Sequence, residues 1–419
     1  MNLLDKFQNT NRLYALLLFP VIGILLFAAI GIKDKVHFVG EMKQIEQLTK
    51  LTIQITALVH ETQIERGKTS VYMYSQGTRF ADQLPDQYIK TDELREVVTK
   101  QLSAFNDEDS DVNFQELMKN VIQTLEQIPV IRQNAIYLNI SMFDAINYYS
   151  ELNAKFLNII SVLPSLSDDS SISRLSNIYL NLLKGKEKAG LERAVISGIL
   201  TAKIISPSLY LQAISLSAQQ QMYFESFAVS ALPEYLALFN RAKSSIDSQK
   251  VARIREYVHQ QIFQRNPLKI IDNSLVLSAI IKPVSIGASG EVQLEISQWF
   301  EHSTNRINDL KQVEDAIAID LLVHTQQAKV DAFYSLIFYS ILVLMSIIMA
   351  LVIPIIFKKL QRSRKKLNKN INELNLTRDE LVQSEKIGSL GRMVAGFAHE
   401  VNTPIGIAVG SVSQIQQSS

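Results

Sequence analysis

Cysteine is absent from this chain of 419 residues, which excludes disulfides, thiolate metal sites and cysteine nucleophiles. Net charge is almost absent as well. The 42 basic and 41 acidic residues leave +1, so there is no bulk attraction to nucleic acid, and partners must be argued from local patches. The six histidines, His37, His60, His259, His302, His324 and His399, show no close pairing of ligand type, and no metal is expected. Glycine and proline are scarce, 15 and 10 in all, and runs of alternating apolar residues are few. Apolar residues instead recur at three-four spacing in nearly every window, so the expected fold is all-α.

What is present begins with two long uncharged runs. Leu13 to Ile32 supplies 20 residues and Ala332 to Phe357 supplies 26, against about 20 for a membrane-spanning helix. A cleaved signal peptide is the competing reading of the first run, but its apolar region is long for that role and no small-residue cleavage pattern follows Ile32. Basic residues crowd behind the second run, at Lys358, Lys359, Arg362, Arg364, Lys365, Lys366 and Lys369, and Lys6 and Arg12 precede the first. Both ends are therefore expected on the cytoplasmic side, with residues 33–331 outside, as in a two-pass protein of a bacterial inner membrane with a periplasmic sensor domain.

The external segment reads as helical bundles, with breaks expected near Gly77 to Pro85, Asn106 to Asp111, Pro164 to Ser171, Ser206-Pro207, Asn266-Pro267 and Pro283 to Gly290. Asn266 to Gly290 is its least helical part, a loop or short hairpin. Two motifs stand out within the helices, Gln63-Ile64-Glu65-Arg66-Gly67-Lys68-Thr69-Ser70 and Lys186-Glu187-Lys188-Ala189-Gly190-Leu191-Glu192-Arg193-Ala194. The apolar stripe of the first helix runs through Ile55, Val59, Thr62, Arg66, Thr69 and Met73, and that of the second through Leu182, Ala189, Arg193, Ile196 and Leu200. Both arginines thus face inward, and a guanidinium taken out of water demands a counter-anion. Two readings satisfy that demand. One is an internal ion pair with Glu65, Glu187 or Glu192; the other is a clamp in which Arg66 and Arg193 share one small planar oxyanion. Tyr72, Tyr74, Tyr148 and Tyr149 are expected in the core, with pocket lining as the alternative.

These two motifs, in this order, resemble the nitrate- and nitrite-sensing domain of bacterial receptors over roughly residues 45 to 265. The resemblance implies an all-helical pair of bundles, nitrate or nitrite as ligand, and ligand contact by Arg66 and Arg193. Lys68 departs from the pattern, since an apolar residue is more usual after the glycine.

Beyond Phe357, Leu360, Leu367, Leu374 and Leu381 recur every seven residues, the spacing of a parallel dimeric coiled coil, expected over 358–386. Arg364 and Arg378 on the same seam make it a weak one, suited to switching, and its basic start can also lie against anionic lipid. The last stretch, 387–419, carries Ser389-Leu390-Gly391-Arg392-Met393-Val394-Ala395-Gly396-Phe397-Ala398-His399-Glu400-Val401-Asn402-Thr403-Pro404. Leu390, Met393 or Val394, Phe397 and Val401 form an apolar seam that leaves His399 outside it. A neutral imidazole next to a carboxylate is suited to accept a phosphoryl group, Thr403 lies one turn further along, and Pro404 is expected to bend the helix.

This run resembles the phospho-acceptor box of sensor histidine kinases. The resemblance implies His399 as phospho-acceptor, Glu400 as general base or orienting acid, Thr403 as the residue positioning water for dephosphorylation, a response regulator receiver domain as partner, and ATP and Mg as cofactors of the intact kinase. No Asn box or glycine-rich lid occurs, so this stretch holds no cofactor and reads as part of a longer kinase, inactive alone. The whole is expected to be a homodimeric, truncated sensor kinase responding to nitrate or nitrite. The alternatives are a non-enzymatic chemoreceptor-type transducer and a sensor that docks a periplasmic protein.

Overall fold

Scarce helix breakers produce long helices, and the computed structural model bears this out over the residues it describes, 3–105, 112–202, 204–205, 207–265, 284–285 and 296–416. The fold is all-α. Its helices are α1 (Leu3–Tyr74), α2 (Leu84–Ala104), α3 (Val112–Leu125), α4 (Ile128–Ile136), α5 (Met142–Ile160), α6 (Ser170–Ala202), α7 (Pro207–Ser230), α8 (Pro233–Lys243), α9 (Ile246–Arg265) and α10 (Ile296–Gln416). The expected breaks after Gly77, around Pro164 and at Pro207 separate α1 from α2, α5 from α6 and α6 from α7. At the first of these, Gln76 and Gly77 take positive φ values of 53° and 83°, and their amides bond back to the Met73 and Tyr72 carbonyls at 3.1 and 2.9 Å, a left-handed helix stop.

Four further breaks were not anticipated, at α3–α4, α4–α5, α7–α8 and α8–α9. Two of them carry a sequence signal, because Pro129 and Pro233 occupy the first turns of α4 and α8, where a missing amide hydrogen costs nothing. The segment expected as a loop or hairpin, 266–290, lies outside the described residues except for Val284–Ser285. Those two residues pair antiparallel with Ile204–Ile205, in the register Ile204 to Ser285 and Ile205 to Val284. The break expected at 106–111 also lies outside them.

The chain divides into two units, Lys33–Leu336 and a second made of Met1–Ile32 with Ile337–Ser419. In the first, the stripes read from the sequence face the core: Ile55, Val59, Thr62, Arg66, Thr69 and Met73 of α1 are all buried, as are Leu182, Ala189, Arg193, Ile196 and Leu200 of α6. One large apolar cluster gathers Met42, Leu48, Phe156, Tyr179, Phe227 and Leu321, and a second gathers Val71, Ile196, Tyr210, Val258 and Trp299. Residues 296–321 of α10 thus close the bundle against α1 and α6. In the second unit apolar side chains point outward, among them Phe19, Leu26, Phe338, Leu344, Leu351 and Ile355. Within the described residues, α10 contains a segment long and apolar enough to cross a membrane. α10 stays helical through Pro354 and Pro404.

Candidate anion site

Arg66 and Arg193 are both wholly buried. They arrive from α1 and α6, and each abuts the glycine of the other's motif. A methyl group built on Gly190 would lie 3.1 Å from Arg66 Nη2, and one on Gly67 would lie 3.1 Å from Arg193 Nε and 2.8 Å from the Phe300 ring. The motif glycines are therefore contact positions, where a bare backbone leaves room for the opposite guanidinium.

The two arginines are neutralised unequally. Arg66 donates from Nη1 to Glu187 Oε1 at 2.6 Å and to Ser150 Oγ at 3.0 Å. Its Nε and Nη2 are buried with no acceptor. Among the described residues Arg193 bonds to no carboxylate: Nη1 donates to Thr304 Oγ1 at 2.8 Å, Nη2 donates to the Gln63 carbonyl at 2.6 Å, and Nε has no acceptor. The Arg193 guanidinium stacks over Phe300, 5.0 Å from the ring centroid. Burial, and then the positive charge of Arg66, pull Arg193 down to about 9, the direction expected of a cation short of counter-charge. Glu187 is itself held in place, since Gln63 Nε2 donates to Oε2 at 2.6 Å and Asn153 Nδ2 at 3.2 Å. Thr62 in turn donates to Asn153 Oδ1 at 2.7 Å.

Of the three carboxylates considered as internal partners, only Glu187 serves. Glu65 turns to Arg132, which grips it through Nε at 2.8 Å and Nη2 at 2.9 Å while Tyr149 donates its hydroxyl at 2.5 Å. Arg132 is shared with Asp92 and stacks on Tyr88. Glu192 is taken by Arg255, through Nε at 2.6 Å and Nη2 at 2.7 Å, and by Gln220 Nε2 at 2.7 Å. A further buried pair joins Lys186 to Glu314, with Lys311 also on Glu314 at 3.1 Å. Lys68 is half-buried and donates to Gln87 Oε1 at 3.3 Å. None of the four tyrosines bonds to the arginines: Tyr149 bonds Glu65, Tyr148 the Thr124 carbonyl and Tyr72 the Ile136 carbonyl, while Tyr74 packs in the second apolar cluster. A surface groove of about 750 Å³, lined by Ile89, Asp92, Glu96 and Leu125 among others, includes neither arginine.

Sequence reasoning missed Gln63, Ser150, Asn153, Phe300 and Thr304. Gln63 carried a usable signal, three residues before Arg66 on the same helical face. The others come from α5 and α10 and had none. At the far end of α10, His399 and Glu400 are exposed, and the Thr403 hydroxyl donates to the His399 backbone carbonyl at 2.7 Å. No group of three or more metal-ligating side chains occurs among the described residues.

The match to known proteins falls on the segment that carries these two buried guanidiniums. The family model for nitrate and nitrite sensing covers residues 57–322, most of the chain. The chain belongs to that family. A relative in this group is the nitrate regulatory protein of Klebsiella oxytoca, 26% identical over 283 residues, which cover 67% of this chain and 64% of that protein. A solved structure, that of the NasR transcription antiterminator, shares the fold with a TM-score of 0.56 at 21% identity, covering 73% of this chain and 80% of that one. These matches correct the expectation of a protein histidine kinase: the chain is similar to a protein named as a nitrate regulatory protein and shares its fold with a transcription antiterminator, and neither is named as a kinase.

Proposed function

We propose that the chain is a nitrate- or nitrite-responsive regulator whose helical unit, Lys33–Leu336, takes one small monovalent oxyanion between Arg66 and Arg193. The observation that carries this is the count of charge and donors at one buried point: two guanidiniums, one carboxylate, and three guanidinium nitrogens with no acceptor. A planar anion supplies acceptors for such nitrogens and the missing negative charge together. The apolar segment of α10, followed by basic residues, supports anchoring in a bacterial inner membrane with the sensing unit on the periplasmic side. Leucines exposed at heptad spacing beyond it support pairing with a second copy, through which a change in the bundle is passed on.

Calorimetry on the purified chain in detergent tests the reading. Nitrate or nitrite should bind, and Arg66→Ala and Arg193→Ala should each abolish binding with helix content retained. Equal binding by both variants overturns the clamp.

A further inference from the structure

The anion site carries a third charged group besides its two arginines, and it is fixed. Glu187 is 5% exposed and accepts three hydrogen bonds, from Arg66, Gln63 and Asn153. Gln63 also accepts from Arg193 through its backbone carbonyl, so one residue of α1 holds Glu187 with its side chain and Arg193 with its backbone. Thr62 and Asn153 add a second brace across from α5. A carboxylate so braced from two helices is held as a structural charge rather than a side chain free to swing away when an anion arrives.

We infer that Glu187 sets the charge selectivity of the site, admitting a monovalent oxyanion and rejecting a divalent one. The inference rests on the sensing reading above. With Arg66 and Arg193 positive and Glu187 negative, the fixed groups sum to +1. A monoanion brings the buried set to neutrality. A dianion such as sulfate brings it to −1, and an uncompensated charge buried among apolar side chains is strongly disfavoured. Sulfate offers similar oxygens and is common in water, so a donor-lined pocket without Glu187 would take it at least as readily. The same carboxylate occupies Arg66 Nη1 and leaves Nε and Nη2 without acceptors, which matches one edge of a guanidinium to one planar ion. Neighbouring charges are matched among themselves: Glu65 with Arg132, Glu192 with Arg255 and Arg306, and Glu314 with Lys186 and Lys311, while Glu61 and Lys68, whose opposite charges also bear on Arg193, cancel each other. No other carboxylate bonds to either arginine among the described residues.

The test uses the full chain in detergent, titrated with sodium nitrate, sodium nitrite and sodium sulfate at constant ionic strength. The native protein should prefer the monovalent ions over sulfate by at least about tenfold, the ratio that 1.4 kcal/mol represents. Glu187→Gln, which keeps the shape and raises the fixed charge to +2, should gain sulfate binding and close that gap. Glu187→Asp, which keeps the charge, should still reject sulfate. Native protein that binds sulfate as tightly as nitrate overturns the inference even if Glu187→Gln fails to fold. So does a folded Glu187→Gln that still excludes sulfate. Native protein that binds none of the three ions overturns the sensing reading instead.

Discussion

At the scale of single residues, the interior of the sensing unit sets committed ion pairs beside the under-neutralised Arg66 and Arg193. Glu65 shows what commitment looks like: both its oxygens are satisfied, by two nitrogens of Arg132 and the Tyr149 hydroxyl. Removing Arg132 strands a buried carboxylate, so Arg132→Ala should cost about 3–5 kcal/mol of stability in denaturant titration. Burial opposes the charge on Arg132, yet Glu65 and Asp92 hold its guanidinium above the ordinary value. His60 behaves in the opposite way. Burial, reinforced by Lys186, Arg193 and Lys311, lowers it to about 3, and its Nδ1 has no partner. The folded chain therefore keeps His60 neutral at pH values where the unfolded chain protonates it, below about 6.5. The stability this contributes is full above that pH and is lost progressively as pH falls towards about 3. The urea midpoint should drop between pH 7 and pH 5, and His60→Gln should flatten that part of the decline.

At the scale of elements, α1 and α6 meet glycine to arginine. Gly190→Ala places a methyl 3.1 Å from Arg66 Nη2 and 3.2 Å from Gln63, tighter than the contact can hold without a shift. Alanine favours the helix by about 1 kcal/mol over glycine, so thermal stability should change little while nitrate affinity in calorimetry falls. Preserved affinity would show that the approach of Arg66 to α6 is incidental. A cap gives an independent check on α5. Ser141 accepts the Asp144 amide at 3.1 Å, and Ser141→Ala should cost about 1 kcal/mol in denaturant titration, with ligand binding unaffected.

Much of this was legible in order of distance along the chain. The buried stripes through Arg66 and Arg193 follow from three-four spacing alone, because helical periodicity is a local property. The partners of the glutamates are not local. Glu65 finds Arg132 on α4 and Glu192 finds Arg255 on α9, and no spacing rule connects those positions. Phe300 and Thr304 complete the site from α10, far along the chain from Arg193, so the sequence offered no reason to place them there. The starts of α4 and α8 have a local signal in Pro129 and Pro233, but helical spacing on both sides of each proline masks the break.

At the scale of the whole molecule, the outward-facing leucines beyond the apolar segment decide whether two copies act together. Leu360, Leu367, Leu374 and Leu381 are each more than half exposed in the single chain, which is unfavourable unless a second helix covers them. The lack of native cysteine makes this easy to measure. Leu374→Cys, on the seam, should form a disulfide-linked dimer under mild oxidation in membranes, whereas Gln383→Cys, on the opposite face of the coil, should not. Equal cross-linking at both positions would rule out a parallel pair in this register.

The reciprocal seating of Gly67 against Arg193 and Gly190 against Arg66 also constrains how this domain can diverge. A bulkier residue at Gly67 needs room from Phe300 or Arg193, and one at Gly190 needs it from Arg66 or Gln63. Surviving sequences in a mutational library should consequently couple changes at 67 to changes at 193 or 300, and changes at 190 to changes at 66 or 63, so that the two motifs drift together with their packing partners.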